Sequence, residues 1–306
     1  MDIKAIVDGQ HVYFNSGQTR ELSFRLEQLK RLKTSIKLCE KELYDSFMQD
    51  LNKSEFDVLM TEMLMVKQEL NLMIRKLYSY SKPKKVKTSI LNMFTKGRIV
   101  PEPYGVTLIV SPWNYPFQLA LIPLIGAIAA GNTVVLKPSS STPNISQTIK
   151  KILSVFDEKL IAVITGSREE TVGLFDQPYD FAFLTGGQNA GRELMASLSK
   201  NLTPCILELG GKSPCIIDFD ADLEKASKRC VWGKFLNAGQ TCVAPDYFLV
   251  HETVKDKFIE LCKKEIKERY YLGDVLTQNF VSIVNEKQKE RVKQILDYNI
   301  VHNCWL

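Results

Sequence analysis

The 306-residue sequence predicts an α/β fold in which a doubly wound parallel sheet is followed by a shorter second αβ segment. Short apolar runs rich in β-branched residues alternate with helical segments beyond Pro103, as in consecutive βαβ units. Hydrophobic residues make up 45% and charged residues 25% of the chain, which excludes a disordered or collagen-like protein. A new αβ segment begins after about Leu209, so the length accommodates two domains.

Two amphipathic helices are predicted before the sheet. Residues 19–50 carry apolar side chains mostly three, four or seven positions apart, which predicts one helix. Ser54, with Asp57 three residues later, is typical of a helix N-cap and opens a second helix that continues through Leu77. The pair predicts a helical hairpin.

A basic run, Lys-Pro-Lys-Lys-Val-Lys, occupies residues 82–87. Such a run is either a polyanion-binding or nuclear-targeting patch or, more commonly, a solvated loop beside a proline. The net charge of only +5 adds no support for nucleic acid as a partner. We therefore expect a solvated loop and no nucleic-acid partner.

Four strands are predicted to form the sheet, at residues 105–110, 132–136, 160–164 and 180–184. Ligands of such sheets bind in the crevice at the carboxyl ends of the strands. The loops that follow these strands are therefore where chemistry is expected, at residues 111–116, 137–140, 165–167 and 185–191.

Three glycines, Gly186, Gly187 and Gly191, lie between the last of these strands and a helix that begins near Asn189. Backbone N–H groups and the helix dipole at such a turn face a phosphate well. The spacing is not that of the dinucleotide fingerprint G-x-G-x-x-G, and glycine-rich turns also serve packing alone. Both interpretations stay open on this loop taken by itself.

Lys137 ends a β-branched run and is followed closely by Ser139 and Ser140. An ammonium and two hydroxyls at the mouth of the sheet suit ribose hydroxyls or a phosphate. A simple exposed lysine at a strand end is the alternative.

The seven cysteines form an odd set with no C-x-x-C pair and no histidine at metal-ligand spacing. This pattern predicts neither a disulfide scaffold nor a metal site. The N-terminus lacks an apolar signal segment, and the longest apolar run, residues 117–130, is too short to span a bilayer. We expect a reducing, cytoplasmic compartment and no membrane anchor.

Two residues are candidates for catalysis. Cys242 lies among small and polar residues, where a thiolate would be reactive, although a free cysteine more often serves packing. Glu208 stands between two leucines before a glycine pair, where partial desolvation would make it a useful general base. A surface glutamate at a strand end is the alternative for Glu208.

Five motifs taken together are more specific than any one of them. The set resembles the aldehyde dehydrogenase superfamily, and its class 3, fatty-aldehyde-type branch in particular. The resemblance covers the chain from the first helix to about residue 301. The motifs are Ser-Pro-Trp-Asn-Tyr-Pro-Phe at residues 111–117, Leu-Lys-Pro-Ser at 136–139, Leu-Thr-Gly at 184–186, Leu-Glu-Leu-Gly-Gly-Lys-Ser-Pro at 207–214 and Gly-Gln-Thr-Cys-Val-Ala-Pro-Asp-Tyr at 239–247.

The resemblance implies a role for each candidate. Cys242 would attack an aldehyde carbonyl, and the side chain of Asn114 with the backbone N–H of Cys242 would form the oxyanion hole. Oxidation by NAD or NADP would leave a thioester on Cys242, and Glu208 would activate the water that hydrolyses it. The cofactor-binding positions implied are Trp113, Lys137, Ser139, Ser140, Gly166, Thr185, Gly186, Gly187, Gly191 and Leu209.

The same resemblance implies a Rossmann-like dinucleotide-binding domain over residues 1–209 and a partial catalytic domain over residues 210–306. Relatives run about half as long again and carry a Glu-x-Phe-Gly-Pro motif and an oligomerisation strand that this sequence lacks. We therefore expect a C-terminally truncated enzyme, or alternatively a non-catalytic dinucleotide-binding remnant. Full-length relatives are expected to form homodimers, and the substrate is expected to be a small-molecule aldehyde.

One departure from the family pattern concerns the cofactor. Many members have a glutamate two residues after the proline of the Lys-Pro-Ser motif, where the carboxylate binds ribose hydroxyls and repels a 2′-phosphate. This sequence has Ser140 there. The departure predicts that NADP is tolerated at least as well as NAD.

Overall fold

The computed structural model describes residues 2–167, 169–277 and 280–301. The chain divides into two compact units. The first consists of Met1–Leu43 and Leu59–Glu208, and the second of Tyr44–Val58 and Leu209–Leu306.

Helices and strands alternate through most of the chain. The helices are α1 (Ile3–Asn15), α2 (Leu22–Leu38), α3 (Glu40–Leu51), α4 (Glu55–Val58), α5 (Leu64–Tyr80), α6 (Gln118–Ala130), α7 (Pro143–Leu153), α8 (Gln188–Leu198), α9 (Leu223–Phe235), α10 (Lys255–Tyr270) and α11 (Glu286–Val301). The strands are β1 (Lys84–Val86), β2 (Gly97–Ile99), β3 (Val106–Val110), β4 (Thr133–Lys137), β5 (Ile161–Val163), β6 (Phe181–Gly186), β7 (Cys205–Leu209), β8 (Pro214–Ile217), β9 (Tyr247–Val250), β10 (Tyr271–Leu272) and β11 (Val275–Leu276).

The first unit is built on a five-stranded sheet with the order β5-β4-β3-β6-β7. Strand β3 runs parallel to β4 and to β6, and β4 runs parallel to β5. The chain moves outward from β3 to β5 and then returns to the other side of β3, as in a doubly wound sheet. The predicted fold class and its four predicted strands are therefore confirmed.

The central strands are buried, as their continuous apolar runs require. Leu108, Val134 and Val135 have no exposed surface. Parallel strands are covered on both faces and therefore lack the alternation of a half-exposed sheet. Helix α6, which is apolar on nearly every side, packs against β3 and β4. Among the described residues, no helix combines the length and apolar character needed to cross a membrane.

Helix α1 was not predicted from the sequence. Asp2 caps its start by accepting a hydrogen bond from Ala5 N at 3.1 Å. Gln10 is fully buried and anchors the helix to the sheet, because its Nε2 donates to Val134 O at 2.9 Å and to Glu158 O at 3.0 Å. A polar residue at a core position interrupts the apolar stripe by which a helix is recognised.

The predicted single helix over residues 19–50 is wrong in one respect. It is two helices, α2 and α3, separated at Cys39, where φ is −101° and ψ is 10°. No glycine or proline marks this break, so the apolar spacing continues through it. The N-cap at Ser54 is confirmed, since its Oγ accepts from Asp57 N at 3.1 Å and donates to the Asp57 carboxylate at 2.8 Å.

The helical hairpin is also confirmed. Lys33 on α2 donates to Asn71 on α5 at 2.7 Å, and Lys67 pairs with Glu40 at 2.8 Å. Glu40, the first residue of α3, follows Lys33 in the chain, whereas Lys67 precedes Asn71 on α5, so the α2–α3 segment runs antiparallel to α5. Leu59–Met63, just before α5, forms a π-helical turn.

The basic run is not the plain loop that the sequence predicts. Residues 84–86 form β1, which pairs antiparallel with β2, and all three residues are exposed. The lysines of the run remain solvated, as expected for this segment.

The second unit has a small parallel sheet of β8 and β9. A core of Ile217, Cys230 and Phe258 joins this sheet to α9 and α10. Helix α9 begins at the N-cap Asp222, whose carboxylate accepts from Lys225 N at 3.1 Å.

The anchoring of α1 by Gln10 generates a first prediction. Replacing Gln10 with alanine leaves the Val134 and Glu158 carbonyls without these donors, so we expect the free energy of unfolding to fall by about 1–3 kcal/mol. The measurement is a urea denaturation curve. Val12→Ala on the exposed side of the same helix is the control and should change stability by less than about 0.5 kcal/mol. Equal midpoints for the two variants would contradict the anchoring role.

Candidate functional site

The carboxyl ends of β3, β4, β5 and β6 bring the predicted loops to one edge of the sheet. Val110 at the end of β3 is opposite Lys137 on one side and Leu184 on the other. The order of the strands changes direction between β3 and β6, which is where doubly wound sheets bind their ligands.

Two buried hydroxyls at this point lack partners. Ser111 and Thr185 each follow a residue of the Val110–Leu184 pair, on neighbouring strands. Ser111 Oγ and Thr185 Oγ1 are buried and have no hydrogen-bond partner within the described part of the chain. Buried polar groups are normally satisfied, so a pair of unsatisfied hydroxyls at the switch point fits a polar ligand. Thr185 is one of the predicted cofactor-binding residues, and Ser111 lies in a predicted functional loop without having been assigned to the cofactor site.

The loop after β3 carries Trp113 and Asn114, both half-buried. Tyr115 and Phe117, which are 8% and 0% exposed, anchor the loop in the core. Ser111 N donates to Lys137 O at 3.1 Å, which fixes the beginning of the loop against β4. The backbone that presents Asn114 is therefore held at both ends.

Glu62 supports the same loop and was not predicted from the sequence. Its side chain is fully buried in the π-helical turn, and its Oε2 accepts from Gln118 N, at the start of α6, at 2.7 Å. A carboxylate at a helix N-terminus is stabilised by the unpaired N–H groups there. Glu62 and Gln118 are 56 positions apart, so no local pattern could have indicated this contact.

Lys137 is not a freely exposed lysine. Its Nζ donates to Gly166 O at 2.8 Å and to Pro138 O at 3.1 Å. Burial lowers the pKa of Lys137, and the nearby Glu170 carboxylate opposes this with a smaller effect. The two carbonyls hold the ammonium at the mouth of the sheet, between the loops that follow β4 and β5.

The backbone conformation at position 166 requires glycine. Its φ of +126° is one that residues with a Cβ rarely adopt, and an added Cβ would lie 3.1 Å from Glu170 Oε2. Glu170 in turn accepts from Ser167 N at 2.6 Å. The turn therefore keeps the Gly166 carbonyl directed to Lys137.

Ser139 and Ser140 lie beyond Lys137. Ser139 is half-buried, and its carbonyl accepts from Ser146 Oγ at 2.7 Å, which ties the loop to α7. Ser140 is exposed. The structure therefore brings Lys137, Ser139 and Gly166 together, with Ser140 at the rim.

The glycine-rich turn after β6 has the expected form. Gly187 is the N-cap of α8, which begins at Gln188, and Gly191 is buried with its N–H directed to Gly187 O at 3.1 Å. Gly186 is half-buried and Gly187 is exposed, so the N–H groups at the start of α8 face solvent at the carboxyl edge of the sheet.

Glu208 departs from its predicted environment. We expected partial desolvation between Leu207 and Leu209, but the Glu208 side chain is exposed. The reason is the alternation of β7, in which Cys205, Leu207 and Leu209 are half-buried and the residues between them are exposed. The leucines and the carboxylate point to opposite faces of this edge strand, so the leucines do not desolvate it.

Cys242 lies in the second unit, in a loop after α9. Its side chain is exposed and free. The loop follows three residues in the left-handed region, Asn237, Ala238 and Gly239. Gly211 lies against it, because a Cβ added to Gly211 would be 3.2 Å from Cys242 O.

The other thiols of this unit are in a different environment. Cys215 and Cys230 lie 3.5 Å apart, sulfur to sulfur, in the core that also contacts Cys262. Burial, and to a lesser extent the hydrogen bond with Cys215, raises the pKa of Cys230 to about 12. Burial raises the pKa of Cys262 to about 11.

Metal-ligating side chains are not clustered. In the described ranges, no group of three His, Cys, Asp or Glu residues is placed to hold a metal ion. All six cysteines within those ranges are free, while Cys304 lies outside them.

The family model of the aldehyde dehydrogenases, described as "Aldehyde dehydrogenase family", matches residues 1–304. The chain belongs to the aldehyde dehydrogenase family. The family resemblance inferred from the five motifs is therefore confirmed. Family members use NAD or NADP.

Several curated aldehyde dehydrogenases are similar over nearly the whole chain. The chain is 44% identical to 4,4′-diaponeurosporen-aldehyde dehydrogenase of Staphylococcus aureus, covering 93% of this chain and 62% of the relative. It is 41% identical to aldehyde dehydrogenase family 3 member A2 of Pongo abelii, covering 93% and 59%. It is 38% identical to the dimeric NADP-preferring aldehyde dehydrogenase of Canis lupus familiaris, covering 96% and 65%. The name of the Pongo abelii relative agrees with the predicted class 3 branch.

Among solved structures, the substrate-bound state of Staphylococcus aureus AldH superimposes with a TM-score of 0.93 at 42% identity. The match covers 97% of this chain and 65% of that one. The chain therefore spans about 60% of the length of the aldehyde dehydrogenases that it resembles.

The contrast between the thiols generates a second prediction. We expect iodoacetamide at neutral pH to alkylate Cys242 well before Cys230 or Cys262, because the thiolate is the nucleophile and raised pKa values leave almost none of it. Peptide mass spectrometry over a time course measures this. Cys242→Ser should remove the fast site and leave the slow ones unchanged. Comparable labelling of Cys230 in folded protein would contradict the assignment.

Proposed function

We propose that the chain carries the machinery to oxidise an aldehyde to a carboxylic acid with NAD or NADP, through a thioester on Cys242. The observation that carries the proposal is the exposed free thiol of Cys242, in a loop packed against Gly211, in a member of the aldehyde dehydrogenase family. Within the described residues of the same unit, the other thiols, Cys215, Cys230 and Cys262, are half-buried or buried.

Each step uses groups of this chain. The Cys242 sulfur attacks the carbonyl carbon of the aldehyde, and the carbonyl oxygen becomes an oxyanion. The Asn114 side chain and the Cys242 backbone N–H donate hydrogen bonds to that oxyanion, and removing one such donor typically slows a reaction about 100- to 1000-fold. When bound, NAD or NADP supplies the electron-pair acceptor that allows a thioester to form.

Glu208 is proposed as the base for the hydrolytic step. Its carboxylate takes a proton from the water that attacks the thioester carbon, and the carboxylic acid leaves as the Cys242 thiolate is restored. The exposed position of Glu208 gives it direct access to water.

The cofactor is proposed to bind at the switch point of the sheet. The unsatisfied hydroxyls of Ser111 and Thr185 fit a polar ligand there. The N–H groups at the start of α8, between Gly186 and Gly191, are proposed to face the pyrophosphate. Lys137 and Ser139 are proposed to meet the adenosine ribose. Trp113, Ser140, Gly166 and Leu209 complete the proposed set of cofactor contacts.

A non-catalytic dinucleotide-binding function is the second candidate. The exposure of Glu208 favours it, because the leucines of β7 do not enclose the carboxylate that the enzymatic function requires as a base. This function keeps the proposed cofactor site of the first unit and assigns no chemistry to Cys242.

We also propose a domain boundary at residue 209, a cytoplasmic location and no nucleic-acid partner, as the sequence predicts. Free thiols at all six described cysteines support a reducing compartment. The dog relative is named as dimeric, which supports a homodimer for the complete enzyme.

Cys242→Ser tests the enzymatic proposal. We expect aldehyde-dependent formation of reduced nicotinamide, followed by its absorbance with a medium-chain aldehyde, to be lost in this variant, since a serine hydroxyl is a far weaker nucleophile. Cys39→Ser, at the break between α2 and α3, is the matched control and should retain the rate of the parent protein. If the parent binds cofactor but reduces none, the non-catalytic function is favoured instead.

Ser140→Glu tests cofactor preference. The parent should bind NADP at least as tightly as NAD. A carboxylate at this exposed position repels the 2′-phosphate by about 1 kcal/mol for each charge pair in water, so NADP affinity should fall about fivefold while NAD affinity holds. Equilibrium titration with both cofactors measures this. Ser154→Glu, at the far end of α7, is the control. A large preference of the parent protein for NAD would overturn the prediction.

A further inference from the structure

The backbone immediately before Cys242 is strained. Asn237, Ala238 and Gly239 have φ values of 55°, 54° and 74°, all in the left-handed region. A Cβ crowds the following carbonyl oxygen in this conformation, so residues other than glycine and asparagine rarely adopt it, and Ala238 is neither. Such strain persists only where the surroundings fix the backbone. Something must therefore hold the segment that leads into Cys242.

The side chain of Gln240 lies at the centre of that support. Its Nε2 donates to Asn237 O at 3.0 Å and to Ser282 O at 3.0 Å. Its Oε1 accepts from Val284 N at 3.1 Å. One amide thus closes the left-handed turn on itself and joins it to residues 282–284, more than 40 positions further along the chain.

Asn237 completes the same arrangement. This residue is 4% exposed, and its Nδ2 donates to Gln240 O at 3.2 Å. Gln240 N donates to Asn237 O at 3.1 Å. The two residues are therefore joined by backbone and side-chain hydrogen bonds in both directions, and Cys242 follows two positions later.

Residues 282–284, to which Gln240 is hydrogen-bonded, belong to a segment with further contacts of its own. Ser282 N donates to Leu51 O at 2.9 Å, and Asn52 Nδ2 donates to Phe280 O at 3.0 Å. The Phe280 ring meets the Tyr270 ring edge to face, with centroids 5.5 Å apart. A hydrogen bond to this segment therefore ties the Cys242 loop to residues that are themselves hydrogen-bonded to Leu51 and Asn52.

We propose that Gln240 is a positioning residue for Cys242: its side-chain amide clamps the nucleophile loop to residues 282–284 and so sets the direction of the Cys242 backbone N–H and thiol. This proposal rests on the proposed function, in which both groups act on the aldehyde carbonyl. A misplacement of about 1 Å at a reacting centre can cost about 100-fold in rate. The clamp is thus a requirement for chemistry at Cys242, beyond its contribution to stability.

The first arm of the test measures the clamp itself. Amide hydrogen exchange followed by mass spectrometry compares the 306-residue protein with Gln240→Ala and with Gln294→Ala, an exposed glutamine on α11. We expect faster exchange in Gln240→Ala, confined to peptides that cover residues 236–246 and 280–285. Gln294→Ala should leave both segments unchanged. Unchanged exchange in Gln240→Ala overturns the clamp.

The second arm measures the geometry of the nucleophile without cofactor. 4-Nitrophenyl acetate transfers its acetyl group to the Cys242 sulfur, releases 4-nitrophenolate and leaves the thiol proton to solvent. This acylation passes through an oxyanion, whereas alkylation by iodoacetamide needs only an accessible thiolate. We expect Gln240→Ala to slow acylation at least tenfold and to change alkylation of Cys242 less than threefold.

A second variant removes the hydrogen-bond partner of Gln240 in the 282–284 segment. Val284→Pro removes the N–H that Gln240 Oε1 accepts and should lower the ratio of acylation to alkylation in the same direction. The double variant should lose no more than the stronger single one, because both remove one shared interaction. Alkylation of Cys230 reports unfolding in every variant, since this thiol is buried in the native core.

The outcomes separate the two proposals. Equal loss of acylation and alkylation, or no loss of acylation despite faster exchange, overturns the positioning role. Faster exchange in Gln240→Ala, with a parent Cys242 that is never acylated above the Cys242→Ser background, overturns the proposed function and the positioning role while leaving the clamp as a purely structural contact.

Discussion

The parallel pairing of β3 with both β4 and β6 is the constraint on which the first unit depends. Pairing in one direction forces the ends of all three strands to one edge, and the strand order reverses between β3 and β6, where doubly wound sheets bind their ligands. Strand pairing alone places four groups at this edge. They are the unsatisfied hydroxyls of Ser111 and Thr185, the ammonium of Lys137 and the start of α8. Their positions follow from the register of the sheet.

Hydrogen bonds from distant parts of the chain then fix the loops that carry the predicted site residues. The buried carboxylate of Glu62 holds the start of α6 behind the Asn114 loop, and the Gly166 carbonyl holds Lys137. In the second unit, the Gln240 amide ties the Cys242 loop to residues 282–284. In each case a group distant in the sequence holds a segment or side chain that belongs to a predicted site residue.

The sequence was informative where a local period or a motif in register carried the signal. Strands, helix starts and the glycine turn after β6 follow from residues near one another, and they were predicted. Helix α1 was missed because Gln10, a polar residue, occupies a core position. The break at Cys39 was missed because the apolar spacing continues through it. The predicted environment of Glu208 was wrong because the two flanking leucines on this edge strand point to the opposite face. Glu62 and Gln240 act on partners 40 or more positions away, which no local pattern reveals.

The anchoring of α1 also bears on how the chain is made. Gln10 leaves the ribosome early, yet its two acceptors, on Val134 and Glu158, follow 124 and 148 residues later. At about 5–20 residues per second, synthesis delivers them roughly six to thirty seconds afterwards. Throughout that interval α1 lacks the sheet residues against which its core side chains, Ile3 and Val7, are buried in the folded chain. Helix α1 can therefore dock in this way only after residue 158 has been made, and the delay is a window for misassembly during translation.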